Sequence, residues 1–131
     1  MSTKYPKFPK QKKRSIKSLK KECDHLMSLY VIQRDKRCIV CGSLKNLTNG
    51  HLFTRRYNAI RWSKINCNSQ CLGCNFRHEF DPYPYTHWFL TKYGQDAYDR
   101  LHALGRAGVR LNKGYLRKVR DQILTWILEL G

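Results

Sequence analysis

Two CxxC pairs, Cys38/Cys41 and Cys71/Cys74, separated by 29 residues, constrain this chain more than any other feature. A cysteine pair spaced by two residues closes a tight loop around one metal ion. Two such pairs supply the four sulfurs that Zn²⁺ takes in a closed tetrahedral site. Gly42 follows the first pair and permits the turn that such a loop needs. Small zinc modules gain about 10–16 kcal/mol of apparent binding energy from the ion. For a chain of 131 residues, which buries only roughly two-thirds of its unfolded surface, that energy would dominate stability. Cys67 has no partner at this spacing and reads as a buried free thiol, and Cys23 falls on the apolar face of a helix. A four-cysteine site of this kind is usually structural, so the metal alone supports a binding module as well as an enzyme.

Charge points to the partner. The chain carries 26 basic and 9 acidic residues, a formal net charge of +17. Four thiolates and one Zn²⁺ would lower it only to about +15. Such a balance predicts an anionic partner, nucleic acid before a membrane surface. No apolar run approaches the ~20 residues of a membrane span. The basic N-terminus is not followed by an apolar segment, so no signal peptide is expected. A cytoplasmic protein with reduced thiols follows as the expectation.

Periodicity divides the rest. Residues 1–14, "MSTKYPKFPKQKKR", hold no acid and two prolines; they read as a basic flexible arm in which Lys12, Lys13 and Arg14 meet phosphate. Residues 15–131 read as a single domain. Ser15 caps a helix running to about Lys36, with Leu19, Cys23, Met27 and Val31 on one face. Short strands are expected around Leu52-Phe53 and Ile60-Arg61-Trp62, then a helix from Leu72 to about Phe80, stopped by "DPYPY". A helix capped by Thr86 continues to Leu104, with Gly105 and Gly108 at its exit. Asn112 caps a last helix whose wide apolar stripe reads as core. The fold class is α+β, a mostly helical small domain around a zinc-stapled centre.

The remaining polar residues keep a definite spacing. His51 to Asn66 is fifteen residues, Asn66 to Asn75 nine, and Asn75 to Glu79 four, which puts the last two on one helical face. This pattern resembles the HNH, or ββα-metal, nucleases: a histidine on a first strand, an asparagine beyond a loop, metal ligands on a following helix. Within that group the chain is most similar to the NinG (Rap) recombination proteins of lambdoid phages. The likeness is carried by Gly50-His51, Arg61-Trp62, Asn66, Gln70-Cys71, Cys74-Asn75, Tyr85, Tyr93-Gly94 and Ala97, and covers roughly residues 15–104.

The resemblance implies a ββα-metal core and phosphodiester hydrolysis, in the host cytoplasm for a phage protein. His51 would be the general base, Asn66 would hold its loop, and Asn75 with Glu79 or His78 would bind one Mg²⁺ or Mn²⁺. Many members place Asp or His just before the catalytic histidine; here that place is Gly50, and no side-chain ligand comes from it. Arg55, Arg56, Arg61, Lys64 and Arg77 surround the expected site as phosphate contacts. The resemblance also implies branched recombination intermediates, Holliday junctions and D-loops, as substrates. A homodimer is consistent with cutting two strands at a junction. The competing readings are a non-catalytic zinc module that binds DNA or RNA, and a sequence-specific HNH nuclease.

Overall fold

The computed structural model describes residues 14–131. Lys12 and Lys13, with the rest of the expected arm up to residue 13, lie outside the described residues.

Helix α1 spans Ile16–Asp35. The Ser15 side chain accepts from the Ser18 N–H at 3.0 Å, and Lys36 ends the helix in the left-handed region at φ 65°. α1 packs on the last helix, α5, Lys113–Glu129. Leu19, Cys23, Met27 and Val31 of α1 bury with Leu116 and Ile123 of α5, and Trp62 joins them. Asn112 caps α5 through its Oδ1, which accepts from the Tyr115 N–H at 2.8 Å. The wide stripe of α5 thus lies largely in the core.

The strands differ from the sequence expectation. β1 is Leu47–His51 and β2 is Cys67–Cys71, an antiparallel ribbon with Leu47 opposite Cys71 and His51 opposite Cys67. Neither "LTNGH" nor "CNSQC" has the apolar alternation of a half-buried strand. Polar side chains support the ribbon instead. Thr48 Oγ1 donates to the Gln70 carbonyl at 2.9 Å, Asn68 Nδ2 donates to Tyr85 Oη at 2.9 Å, and the Asp35 carboxylate accepts from the Ser69 N–H at 2.9 Å. The apolar residues expected in strands anchor the intervening loop. Leu52 and Ile60 insert into a second core with Tyr85, Phe89 and Leu101, and residues Asn58–Ile60 form a 3-10 turn.

α2, Leu72–His78, follows β2 directly and completes a ββα unit. The helix expected from Thr86 to Leu104 is two helices, α3 at Tyr83–Tyr93 and α4 at Gln95–Ala107. Gly94, at φ 89°, breaks the run. The prolines of "DPYPY" open α3 as well as stopping α2, because a helix's first turn has no use for the missing N–H. Gly105 is no exit: it lies inside α4, pressed against the loop. No helix among the described residues is long and apolar enough to cross a membrane.

A Cβ at Gly105 would sit 2.6 Å from Tyr57 Cδ2 and 2.8 Å from Ile60 Cδ1. Gly105→Val should therefore lower stability by about 1–3 kcal/mol, read as a lower urea midpoint with unchanged slope. Gly73→Ala in α2, where nothing lies within 4 Å, should be neutral or stabilising by up to about 1 kcal/mol.

Candidate metal centre and cleft

The four cysteines of the two CxxC pairs converge, with all their sulfurs within 4.8 Å of one another. Cys41 Sγ and Cys71 Sγ are 3.7 Å apart. Zinc–sulfur bonds of about 2.3 Å in a tetrahedron put neighbouring sulfurs about 3.8 Å apart, so the cluster fits one Zn²⁺. The two halves repeat one motif. The Cys41 N–H points at Cys38 Sγ and the Cys74 N–H at Cys71 Sγ, each at 3.4 Å. Burial raises the Cys38 thiol, but N–H groups of Cys41, Cys71 and Val40 outweigh it and bring it down to about 7. Cys74 is pushed well up by burial and then by the three neighbouring sulfurs. Four sulfurs in one shell cannot all ionise without a cation between them. Cys23 and Cys67 stand apart, held protonated at about 11 and about 12 chiefly by burial, as expected of free core thiols.

The cluster ties the 38–41 loop to the corner between β2 and α2, and a cleft opens beside that corner. It measures about 760 Å³ and is lined by Asn49, His51, Leu52, Thr54, Arg55, Arg56, Asn75, His78 and Glu79. His51, at the end of β1, directs Nε2 at the Arg61 carbonyl, 2.9 Å away. A carbonyl only accepts, so Nε2 carries the proton and Nδ1 keeps the lone pair. Burial holds this imidazole below its ordinary 6.5, against the opposing pull of the Arg61 carbonyl and the Asp24 charge. At neutral pH the ring is an uncharged base. On α2, Asn75 Nδ2 donates to Thr48 Oγ1 at 3.1 Å, which leaves Asn75 Oδ1 as the free acceptor. Glu79, one turn later, is exposed in the same cleft. An amide oxygen and a carboxylate are the donors a hard divalent cation takes.

Asn66 is placed differently. It is fully buried and does not line the cleft. Its Oδ1 accepts from the Phe53 N–H at 2.9 Å, and its Nδ2 donates to the Phe53 and Ile60 carbonyls at 3.1 Å. It holds the loop after His51 and touches no substrate space. His78 also acts as a brace: Nε2 contacts the Leu52 carbonyl at 2.8 Å, and Nδ1 is buried without a protein partner. At Gly50 a Cβ would overlap the Gln70 carboxamide, so the room for a side-chain ligand there is filled.

Among the expected phosphate contacts in the described residues, only Arg55 and Arg56 line the cleft. Arg61 is engaged by Asp24 of α1. Its Nε donates to Asp24 Oδ1 at 2.9 Å, Nη2 donates to Oδ2, and Trp62 Nε1 adds a bond to Oδ1 at 2.9 Å. With its side chain 11% exposed, Arg61 fixes the carbonyl that orients His51. Lys64 lies over the Trp126 ring at 4.8 Å, Arg77 pairs with Asp81 at 3.1 Å, and Arg14 pairs with Glu22 at 2.8 Å.

The family model described as the bacteriophage lambda NinG protein matches residues 3–129. The chain belongs to the NinG family. Comparison with curated proteins and with solved structures finds no match. In this NinG-family chain, sequence reasoning missed Asp24, Thr48 and Tyr85, whose hydroxyl donates to the Gly50 carbonyl at 2.8 Å. Each acts through contacts distant in sequence; no local signal marks Asp24 or Thr48, and Tyr85 stood out through the family likeness alone, with no role attached.

The purified protein should carry one zinc per chain. Its removal by a chelator should unfold the ββα unit, and Cys41→Ala should weaken retention while Cys67→Ala leaves the stoichiometry at one; metal analysis with circular dichroism reads all three. The folded His51 binds protons less readily than the unfolded chain. Its contribution to stability is therefore complete above about pH 6.5 and is lost as pH falls through the folded value. Imidazole titration by NMR should place His51 below the ordinary 6.5.

Proposed function

We propose that this protein is a metal-dependent DNA endonuclease of the HNH type that hydrolyses phosphodiester bonds, acting on branched recombination intermediates such as Holliday junctions and D-loops. The observation that carries this reading is the His51 imidazole. It is neutral, pinned through Nε2 to the Arg61 carbonyl, and shares one cleft with Asn75 and Glu79. His51 Nδ1 takes a proton from water, and the water oxygen attacks phosphorus in line. The P–O3′ bond breaks and the leaving oxygen is protonated, which yields 5′-phosphate and 3′-hydroxyl ends. A Mg²⁺ or Mn²⁺ ion held by Asn75 and Glu79 would supply charge neutralisation at the phosphate and the leaving oxygen. Arg55 and Arg56 draw the DNA backbone to the cleft rim. The family, a phage one by its description, fits a role in phage recombination.

A second reading, a non-catalytic zinc module that docks on DNA, is favoured by one observation. The position before His51 offers no ligand, and Gln70 fills the space a side chain there would need.

Cleavage of junction, flap and linear duplexes by the zinc-loaded protein decides between them. With Mg²⁺, Mn²⁺ or Ni²⁺ the wild type should nick the branched DNA. His51→Ala should lose about 10²–10⁴-fold in rate while binding persists. Asn75→Ala and Glu79→Ala should demand more divalent metal. A wild type that binds DNA and never cuts it establishes the docking module; a His51→Ala variant that cuts normally removes His51 from the reaction.

A further inference from the structure

The helix that carries Asn75 and Glu79 has a second solvent-facing stripe. At about 100° per residue, Asn75 and Glu79 fall on one side of α2. Leu72 and Phe76 fall on the adjoining side, and Phe80 follows in the turn just after α2. Leu72 is 58% exposed, and Phe76 and Phe80 are each 69% exposed. The two phenyl rings touch edge to face with centroids 5.5 Å apart. On the opposite side of the helix, Cys74 joins the sulfur cluster with Cys38 and Cys41, and His78 contacts the Leu52 carbonyl, which holds α2 to the body. The fold therefore has no need of these rings, and a phenyl left in water forgoes about 1.5–3 kcal/mol of burial.

Charge decides what covers them. A second copy would bring two chains of +17 face to face, and that repulsion opposes self-association. The same charge attracts a polyanion. Phe76 and Phe80 directly follow Asn75 and Glu79, which line the cleft that holds Arg55 and Arg56, so a strand seated there by its phosphates has the rings within reach of its bases. In a continuous duplex those bases are already stacked on their neighbours. At a flap, a junction or a single strand, a base has a free face, and exposed aromatic rings are the surface that takes it.

We infer that Phe76 and Phe80 form a stacking platform for unpaired bases, by which this chain selects branched or single-stranded DNA over plain duplex. The inference rests on the reading that DNA lies in the cleft. Recognition then comes from the availability of a base face, with no hydrogen-bond reading of sequence.

The test reads binding alone, with zinc-loaded protein and no added Mg²⁺ or Mn²⁺. The probes are a flap and a three-way junction carrying 2-aminopurine at the first unpaired position, and a linear duplex of equal length. Wild type should quench the 2-aminopurine on binding. Phe76→Leu/Phe80→Leu, which keeps the apolar surface and removes the rings, should abolish the quench. It should weaken branched-DNA binding about tenfold or more while duplex binding stays within about twofold. Phe76→Trp/Phe80→Trp should restore both. Branched DNA bound without quenching, or equal losses on branched and duplex DNA, overturns the inference. So does a wild type that sediments as a dimer and becomes a monomer in Phe76→Ala/Phe80→Ala, which would assign the stripe to a second copy. A protein that stacks bases yet cuts nothing with divalent metal would sink the nuclease reading and leave this one standing.

Discussion

Four sulfurs brought within 4.8 Å tie together a corner of this fold that its polar ribbon could not hold alone. β1 and β2 are five residues each, and a two-stranded ribbon of that size is marginal in water. A Zn²⁺ ion held by the cluster would join the 38–41 loop, the end of β2 and the first turn of α2 into one rigid piece. Because α2 begins at the residue after Cys71, the position of Asn75 follows from the position of the metal. The cation also makes the cluster chemically tolerable, since thiols this close resist ionisation together.

The other half of the cleft depends on α1, which lies outside the ββα unit. Asp24 clamps Arg61 and Trp62, and the Arg61 carbonyl orients His51. Nearer its end, Arg34 donates to the carbonyls of Lys64 and Cys67 and to Asn68 Oδ1 at 2.9–3.0 Å. Asn66 closes the loop from within. His51 is thus positioned by an ion pair and a carbonyl, and Asn75 by the sulfur cluster at the start of α2. Two independent supports meet across one opening.

Local chemistry made much of this legible from sequence. The CxxC spacing places its sulfurs by the geometry of a tight turn, and the caps Ser15 and Asn112 mark their helices by short-range bonds. The intervals from His51 to Asn75 and Glu79 also carried through, since all three line one cleft. The strands were illegible because their residues are polar and their partners lie in α1 and α3. The helix expected from Thr86 to Leu104 ran through Gly94, whose positive φ divides it into α3 and α4. Arg61 looked like a phosphate contact because its partner, Asp24, is 37 residues away. Lys64 lies over the Trp126 ring and Arg77 pairs with Asp81 one turn on, contacts that a reading of basic residues near the site does not weigh.

In the proposed reaction, His51, Asn75 and Glu79 would surround the place of one hard cation. Titrating Mn²⁺ into the zinc-loaded protein, with resonances followed by NMR, tests it most directly. The account predicts that the His51 ring, the Asn75 side-chain amide and Glu79 broaden together and first, at one site. Broadening spread over exposed carboxylates elsewhere, with these three residues still sharp, would contradict it.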